Sequence, residues 1–564
     1  MSEHSPHSMR AAVRSVRDAG RATVLVIGGG INGIATFRDL ALQGLDVVLV
    51  ERGDFAGGAS SASSHMIHGG VRYLENGEFR LVKESVQERN RLLRLAPHFV
   101  KPLETTIPIY STFSGILAAP LRFLTHRSGK PQERGAALIK IGLTLYDTFS
   151  RDGGSVPRHR FLGRKKSRAE LPALDENVKY TATYFDASMH DPERLALDVL
   201  LDGLAANDRA RALNYVEAVG RTEDGVTLRD RETGEEFTVS ADVVVNASGP
   251  WTDLTNAQLG QQTRFMGGTK GSHIVLDHPE LLAATKGREI FFEHSDGRIV
   301  LIYPLKDRVL VGTTDIDADP SEPAVCTEEE IDYFFDLIHH VFPQIAVDRD
   351  QIVYRFSGIR PLPRHEDTAP GFVSRDYRVE IDDSRSTPVV SLVGGKWTTF
   401  RALGESLSTK VLELLGRGRS ASTTDRPIGG GRGFPTSDAE RREWIGAHLA
   451  GAGDRADVLL ARYGTRASEV WAHIQKGEDA PLADGAVSTR ELAWMVENEF
   501  VVHLRDVILR RTSLAFTGDA SSEVIDELAD ALASLLGWDA TRRHEEATQI
   551  RQELGDRHGV ALAS

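Results

Sequence analysis

Hydrophobic and polar positions change pattern along this chain, and each change marks a different kind of element. Val24-Leu25-Val26-Ile27 is an unbroken apolar run, which suits a strand covered on both faces of a parallel sheet. A glycine-rich turn spans Gly28 to Gly33, a helix is predicted to about Leu42, and Gly44 ends it. Val47-Val48-Leu49-Val50 then supplies the second strand of a βαβ unit. Phe79, Val82, Val86 and Leu93 recur at near-helical spacing until Pro97. The middle of the chain reads as antiparallel sheet: Val226–Leu228 and Phe237–Val239 flank Thr233-Gly234 as a hairpin. His273–Leu276, Ile290–Phe292, Ile299–Tyr303 and Val309–Val311 are further strands. Asp191-Pro192 opens a helix between them, and Thr327-x-x-Glu330 is a capping box opening another. Residues 416–435, rich in Gly, Arg and Ser, read as a linker. Beyond it the period is helical, with capping boxes at Ser437-x-x-Glu440 and Ser488-x-x-Glu491.

Residues 1–20 are expected to be a flexible leader. Arg10, Arg14, Arg17 and Arg21 recur at helical spacing opposite Met9, Val13 and Val16, so a solvated helix is the main reading. Contact with an anionic membrane surface is the alternative. Composition narrows the rest. With 564 residues, 41% hydrophobic and 26% charged, the chain is globular. A formal net charge of −14 removes any general attraction to nucleic acid. Its one cysteine, Cys326, excludes an internal disulfide, an all-cysteine metal site and a dithiol redox centre. No metal site is expected, since His339-His340 lacks further ligands at suitable spacing. No stretch approaches the ~20 apolar residues of a membrane span, and MSEHSPHSMR lacks the apolar core of a signal peptide. A cytoplasmic protein is expected.

Gly28-Gly29-Gly30-Ile31-Asn32-Gly33 satisfies G-x-G-x-x-G between a strand and a helix. Gly28 permits the tight turn, Gly30 lets a diphosphate approach, and Gly33 allows close helix–strand packing. The helix N-terminus presents N–H groups to the phosphates, and Glu51, ending the second strand, can hold ribose hydroxyls. Glu51 also argues against a 2′-phosphate. Phe37 stands where such helices usually carry a small residue, which predicts looser packing there.

The stretch Ser60-Ser61-Ala62-Ser63-Ser64-His65-Met66-Ile67-His68-Gly69-Gly70-Val71-Arg72-Tyr73-Leu74 resembles the signature of FAD-dependent, quinone-linked glycerol-3-phosphate dehydrogenases. Asn246–Trp251, Lys270–His273, Gly312–Asp315, Ser357–Pro361 and Gly394–Thr399 are similar to that family in order and spacing, as is Glu497–Thr512. The resemblance implies oxidation of sn-glycerol 3-phosphate to dihydroxyacetone phosphate by hydride transfer to flavin N5, with a quinone as electron acceptor. It implies an α/β (α+β) fold like glycine oxidase and D-amino-acid oxidase. An FAD-binding Rossmann-like domain (21–94, 190–262 and 352–415) would interleave with a mostly antiparallel substrate domain (95–189 and 263–351). An all-α domain, 436–564, would follow. Association with a membrane surface, inside the cytoplasmic membrane, and a homodimer are further expectations.

On this resemblance Arg72, Arg360 and Lys396 bind the substrate phosphate or its neighbouring oxygens, beside Tyr73. Arginine suits a phosphate because its planar fork donates two hydrogen bonds at once. A histidine with pKa near neutrality suits the C2 hydroxyl proton. His273 and His68 are the two candidates; His273 is preferred, with His68 at the flavin edge and Lys396 supporting developing charge. Cofactor contacts are expected from Gly28, Gly30, Asn32, Gly33, Glu51, Ser60, Ser61, Ser63, Ser64, His68, Gly69, Gly70, Gly249, Gly395, Lys396, Thr398 and Thr399. His65 departs from the family's usual lysine or arginine, and Ala59 from its threonine, so contacts there are in doubt. Residues 110–135 read as a helical hairpin or a membrane-docking segment. A glycerol-3-phosphate oxidase that passes electrons to O₂ stays open, as does, more distantly, an amine- or amino-acid-oxidising flavoprotein.

Overall fold

The computed structural model describes residues 6–70, 79–112, 136–150, 156–294, 298–364 and 376–562. Strand Arg21–Ile27 lies between Val47–Val50 and Glu236–Asn246, parallel to both, with Val26 opposite Leu49 and Val245. Arg211–Leu213 and Val389–Val393 extend the parallel sheet on its two sides, and Arg378–Asp382 adds an antiparallel edge. The expected hairpin forms beside it, Thr227 opposite Thr238. Val24, Leu25 and Val26 are fully buried because helices cover the sheet, which is why that run carries no polar alternation. Helices Ile31–Leu42, Pro192–Ala206 and Phe400–Leu414 share one core with it, through Ile34, Leu40, Leu195, Leu200 and Leu403.

Phe37 does not loosen this packing. Its ring is fully buried, and Gly203 on the neighbouring helix makes the space: a Cβ there would stand 2.9 Å from Phe37 Cε1 and 3.0 Å from Arg38 Cα. On the other flank Gly404 does the same for Ala35, 2.8 Å from its carbonyl carbon. The small residue therefore sits on the partner helix. Gly203→Val is expected to lower stability by about 2–3 kcal/mol through overpacking. Denaturant unfolding checks this; an unchanged midpoint would contradict the packing.

Two segments expected to be loose are packed. Pro6–Ala19 is a helix whose Val13 and Val16 are buried in one core with Ala22, Leu213 and Val239, while Arg17 donates to Glu235 at 2.8 Å. Val13 and Val16 cover the sheet, so residues 11–19 are packed where the sequence reading expects a flexible leader. The segment 416–435 is a strap. Arg419 reaches Asp39 at 2.8 Å, Ser420 N donates to Gln43 Oε1 at 2.8 Å, and Ile428 N donates to Leu95 O at 2.8 Å. Its glycines serve close approach: a Cβ at Gly430 would lie 2.0 Å from Tyr463 O, and one at Gly431 2.2 Å from Leu95 O.

The second sheet is antiparallel in nearly all its pairings. Val100–Ile109 runs along the whole of Tyr180–Met189, and Thr269–Leu276, Arg308–Gly312, Ile299–Leu305 and Glu289–Glu293 continue the sheet. Met66–Ile67 and Ile352–Arg360 pair within this sheet, although the sequence reading placed both in the FAD-binding domain. The chain thus crosses between sheets at Ser60–Gly70 and after Arg360, and the candidate residues gather at that seam. Helix Glu328–Val341 carries the complete capping box, as does Asp438–His448. At Ser488 only half forms: its hydroxyl accepts from Glu491 N, but the Glu491 carboxylate is taken by Arg455, Arg462 and Tyr463.

The helical domain has its own core around Leu459, Leu460, Val507, Ile525 and Leu528. It docks on the first domain through Arg194, whose two terminal nitrogens each meet Glu499 at 2.8 Å beneath the ring of Tyr463.

Candidate active site

The dinucleotide turn is built as its glycines require, with one addition. A Cβ at Gly33 would stand 2.0 Å from Gly28 O, so this helix turn presses directly on the end of the strand. Gly28 has φ +109°. Gly29, a variable position in the motif, is more crowded than Gly30: its Cβ would lie 2.7 Å from both Glu51 Cβ and Phe55 Cδ1. Glu51 accepts from Gly29 N at 2.7 Å and from Gly53 N at 2.9 Å. Burial pushes its carboxyl above the ordinary value, and these two amides only partly offset that.

The serine-rich loop folds over the helix N-terminus. Ser60 Oγ accepts from Ile31 N at 3.0 Å, and Ser60 O accepts from Trp397 Nε1 at 3.0 Å. Ser61 Oγ donates to Gly58 O, and Ser63 Oγ accepts from His65 N. Gly249, Gly394 and Gly395 all have positive φ, so two further turns present backbone where side chains would intrude. A Cβ at Gly395 would meet Asn32 Nδ2 at 2.5 Å. Among the described residues, Asn32 Oδ1 and Thr399 Oγ1 are buried and meet no hydrogen-bond partner. Buried polar atoms normally have partners, and Asn32 borders the cavity described next, where a bound group can supply one. A cavity of about 1200 Å³ runs from Gly28 and Glu51 past Ser60 to Phe356 and on to the helical domain. Glycine turns, a helix N-terminus, the Glu51 carboxylate at the cavity wall and the partnerless Asn32 amide oxygen together fit an extended dinucleotide.

At the far end three glycines on adjacent strands are each covered by a side chain. In register, Gly271 faces Gly358 and His273 faces both Phe356 and Gly312. The Arg360 guanidinium lies on Gly271, where a Cβ would be 2.1 Å from Nη2; the His273 ring lies on Gly312; Ala62 lies on Gly358. Thr313 Oγ1, at 2.8 Å, and Asp315 Oδ1, at 3.1 Å, hold the guanidinium in place. His273 is buried, stacks on Phe356 at 4.8 Å, and bonds through Nε2 to Ser64 Oγ at 2.8 Å. Burial first, and then the Arg360 charge, push the His273 pKa well below the ordinary histidine value. The imidazole is therefore neutral at pH 7, as a proton acceptor must be.

His273 and Arg360 thus share one face. Ser64, which the sequence reading assigns to the cofactor, bonds to His273 in this structure. His68 accepts through its carbonyl from Thr398 Oγ1 at 3.1 Å, and Lys396 Nζ donates to Ser85 Oγ at 2.7 Å. Arg72, Tyr73 and most of 110–135 lie outside the described residues. The turn before Arg72 is held from below by a buried network absent from the sequence reading. Asp186 Oδ1 accepts from Gly69 N at 2.8 Å, Tyr146 OH at 2.6 Å and Arg89 at 3.0 Å. A Cβ at Gly69 would stand 2.1 Å from Tyr146 OH. Gly70 follows with φ +76°. The alternation of strand Tyr180–Met189 hides Asp186, since nothing local distinguishes a buried carboxylate from a solvated one.

His65, in the place of the family's usual cation, is buried against Phe516 at 5.1 Å, and burial pushes its pKa down to about 4. Burial likewise lowers His190 and His558 to about 4. The fold favours the neutral forms, whereas the unfolded chain takes up protons below about 6.5. Stability from these groups is present above pH 6.5 and lost as pH falls towards 4, on the order of 3 kcal/mol per histidine at full effect. His503 has the opposite sign: burial would lower it, but Glu232 and Glu546 outweigh that and raise it to about 10. Its contribution is lost as pH rises from 6.5 towards 10. The thermal midpoint is therefore expected to peak near neutrality; a midpoint flat from pH 7 to 4.5 would contradict the buried histidines.

Comparison with known proteins agrees with this architecture. The family described as FAD dependent oxidoreductase matches residues 23–399, and the C-terminal domain of alpha-glycerophosphate oxidase matches 421–543. A glycerol-3-phosphate dehydrogenase of Synechocystis sp. is 34% identical, over 91% of this chain and 93% of its own. A D-erythritol 1-phosphate dehydrogenase of Brucella abortus is 32% identical, over 87% and 93%. The crystal structure of a Bacillus halodurans glycerol-3-phosphate dehydrogenase complexed with FAD shares the fold, with TM-score 0.74, 24% identity and 98% coverage of both chains. With a dinucleotide site at one end, a histidine–arginine pair at the other and relatives along nearly its whole length, the chain belongs to the FAD-dependent glycerol-3-phosphate dehydrogenase and oxidase family.

Proposed function

We propose that this chain oxidises sn-glycerol 3-phosphate to dihydroxyacetone phosphate and passes the electrons to a quinone. The observation that carries the reading is the placement of His273 and Arg360 on one sheet face, a proton acceptor beside an oxyanion clamp. FAD would be held by the Gly28–Gly33 turn, Glu51, Asn32, Ser60, Ser61, Ser63, Gly249 and the Gly395–Thr399 turn, with Gly69 and Gly70 at its flavin end. Bound FAD supplies the acceptor for a hydride.

Arg360 grips the phosphate with its fork and so fixes the carbon chain, converting binding energy into alignment. His273 Nε2, now bonded to Ser64 Oγ, accepts the C2 hydroxyl proton as the hydride leaves the same carbon. Lys396 lies in the neighbouring glycine turn, where its charge stabilises negative charge that develops at the reacting centre. Arg72 and Tyr73, which the resemblance assigns to the substrate, follow Gly69 in the sequence and are our further candidates for the phosphate clamp. Burial of His273 keeps water from competing for the proton.

The test is anaerobic addition of millimolar sn-glycerol 3-phosphate to the purified flavoprotein. Bleaching of the visible flavin band is expected, and none would overturn the reading. D-erythritol 1-phosphate, named by one relative, is the comparison polyol phosphate; faster bleaching by it would reassign the substrate. Reoxidation decides the acceptor: quinone reduction supports the proposal, and stoichiometric peroxide would assign the chain as an oxidase. Among the described residues no helix is long and apolar enough to cross a membrane.

A further inference from the structure

The loop from Glu51 to Gly58 has two working faces. On one, Glu51 binds the amides of Gly29 and Gly53, and Ala56 N donates to Gly29 O at 2.8 Å, so the loop is tied to the dinucleotide turn. On the other, it is plugged into the helical domain. Asp54 is buried and receives Arg511 through two bonds, Nη1 to Oδ2 at 2.7 Å and Nη2 to Oδ1 at 2.9 Å. Arg510 Nε stands 3.0 Å from Asp54 Oδ2, and its guanidinium is 3.3 Å from where a Gly57 Cβ would be. Asn214 Nδ2 bridges Asp54 Oδ1, at 3.3 Å, and Phe500 O, at 3.0 Å; the Phe55 and Phe500 rings meet edge to face at 5.2 Å. Arg511 Nε also donates to Glu499 O, beside the Arg194 pair.

Both arginines belong to a π-helical turn, Val507–Arg511, in a domain built mainly of α-helices. Such turns cost backbone regularity and are frequent at functional sites. Here the turn aims two successive arginines at one carboxylate. An ion pair with neither partner exposed holds one geometry, because removing either charge leaves the other buried and uncompensated.

We infer that the C-terminal helical domain is a clamp on the cofactor loop: Arg511 and Arg510, acting through Asp54, are positioning residues that hold Glu51 and the Gly53–Gly57 backbone in the FAD-binding arrangement. They act on the cofactor through the loop. The coupling is reciprocal, as any coupling between two binding equilibria must be. FAD should therefore tighten the docking of the helical domain by the same factor as the docked domain tightens FAD.

Two measurements test this without relying on turnover. In the first, FAD release from the holoprotein is followed by the rise in flavin fluorescence after dilution. The variant Asp54→Asn with Arg510→Gln and Arg511→Gln replaces all three charges of the cluster by amides, so that neither arginine is left facing a neutral partner. It is expected to release FAD at least tenfold faster, with the thermal midpoint of its FAD-free form within a few degrees of the parent's. Release within twofold of the parent would overturn the proposal. In the second, amide hydrogen exchange of the parent protein is compared with and without FAD. Segment 499–512, in the helical domain, is expected to exchange at least tenfold more slowly with FAD bound. Equal exchange in that segment would overturn the clamp, and this result stands even if the variant does not fold.

Discussion

His273→Asn is expected to lower kcat by about 10²–10⁴-fold, the usual weight of a positioned general base, while the flavin absorbance stays that of the parent. Asparagine keeps a polar group against Ser64 and Gly312 but cannot take a proton at neutral pH. His68→Asn is the control. With the base at His273, the loss of kcat in His68→Asn should be at least tenfold smaller than in His273→Asn. A reversed order of effects would move the base to His68. The pH profile adds an independent check. Burial and Arg360 lower the His273 pKa, and the base works only when neutral, so kcat/KM should fall only when pH drops well below 6.5. An acid limb at or above 6.5 would contradict the assignment.

Arg360→Ala is expected to lower kcat/KM by about 10²–10⁴-fold, from the loss of two charge-assisted hydrogen bonds at ~1.5–3 kcal/mol each. FAD should remain bound, because the guanidinium lies over Gly271 and is held by Thr313 and Asp315, on the substrate side of the seam. Arg360→Lys should recover only part of the loss, since a point charge cannot reproduce the fork. The same substitution removes one of the charges that depress His273, so the acid limb of the Arg360→Ala profile should move to higher pH. Loss of FAD, or a limb that does not move, would place Arg360 elsewhere in the mechanism.

The parts legible in the sequence are those whose physics is local. An apolar run of four residues, six positions of glycine pattern and a terminal carboxylate are contiguous, and each restricts the backbone near itself. That is why the βαβ unit, the hairpin at Thr233-Gly234 and the boxes at Thr327 and Ser437 could be read directly. The illegible parts depend on partners far along the chain. Phe37 looked like a packing fault because Gly203, which makes its space, is on another helix. The segment 416–435 looked loose because glycines that permit close contact have the same composition as glycines that permit motion. Residues 6–19 looked solvated because their apolar stripe is narrow, yet the edge of the sheet fits it.

The candidate site divides in the same way. Sequence alone determined the dinucleotide turn, the ribose carboxylate and a set of cations and histidines beside glycines, since residue type and spacing suffice for those. Only the tertiary structure decided that His273 and Arg360 share a face and that Ser64 bonds to the histidine. It alone revealed that Asp186 and Tyr146 pin Gly69, and that Asp54 ties the cofactor loop to the helical domain. Each of those contacts joins residues far apart along the chain, from the 40 between Tyr146 and Asp186 to the 209 between Ser64 and His273 and the 457 between Asp54 and Arg511. Side-chain chemistry is written residue by residue, but which groups become neighbours depends on how two sheets and a helical domain pack together.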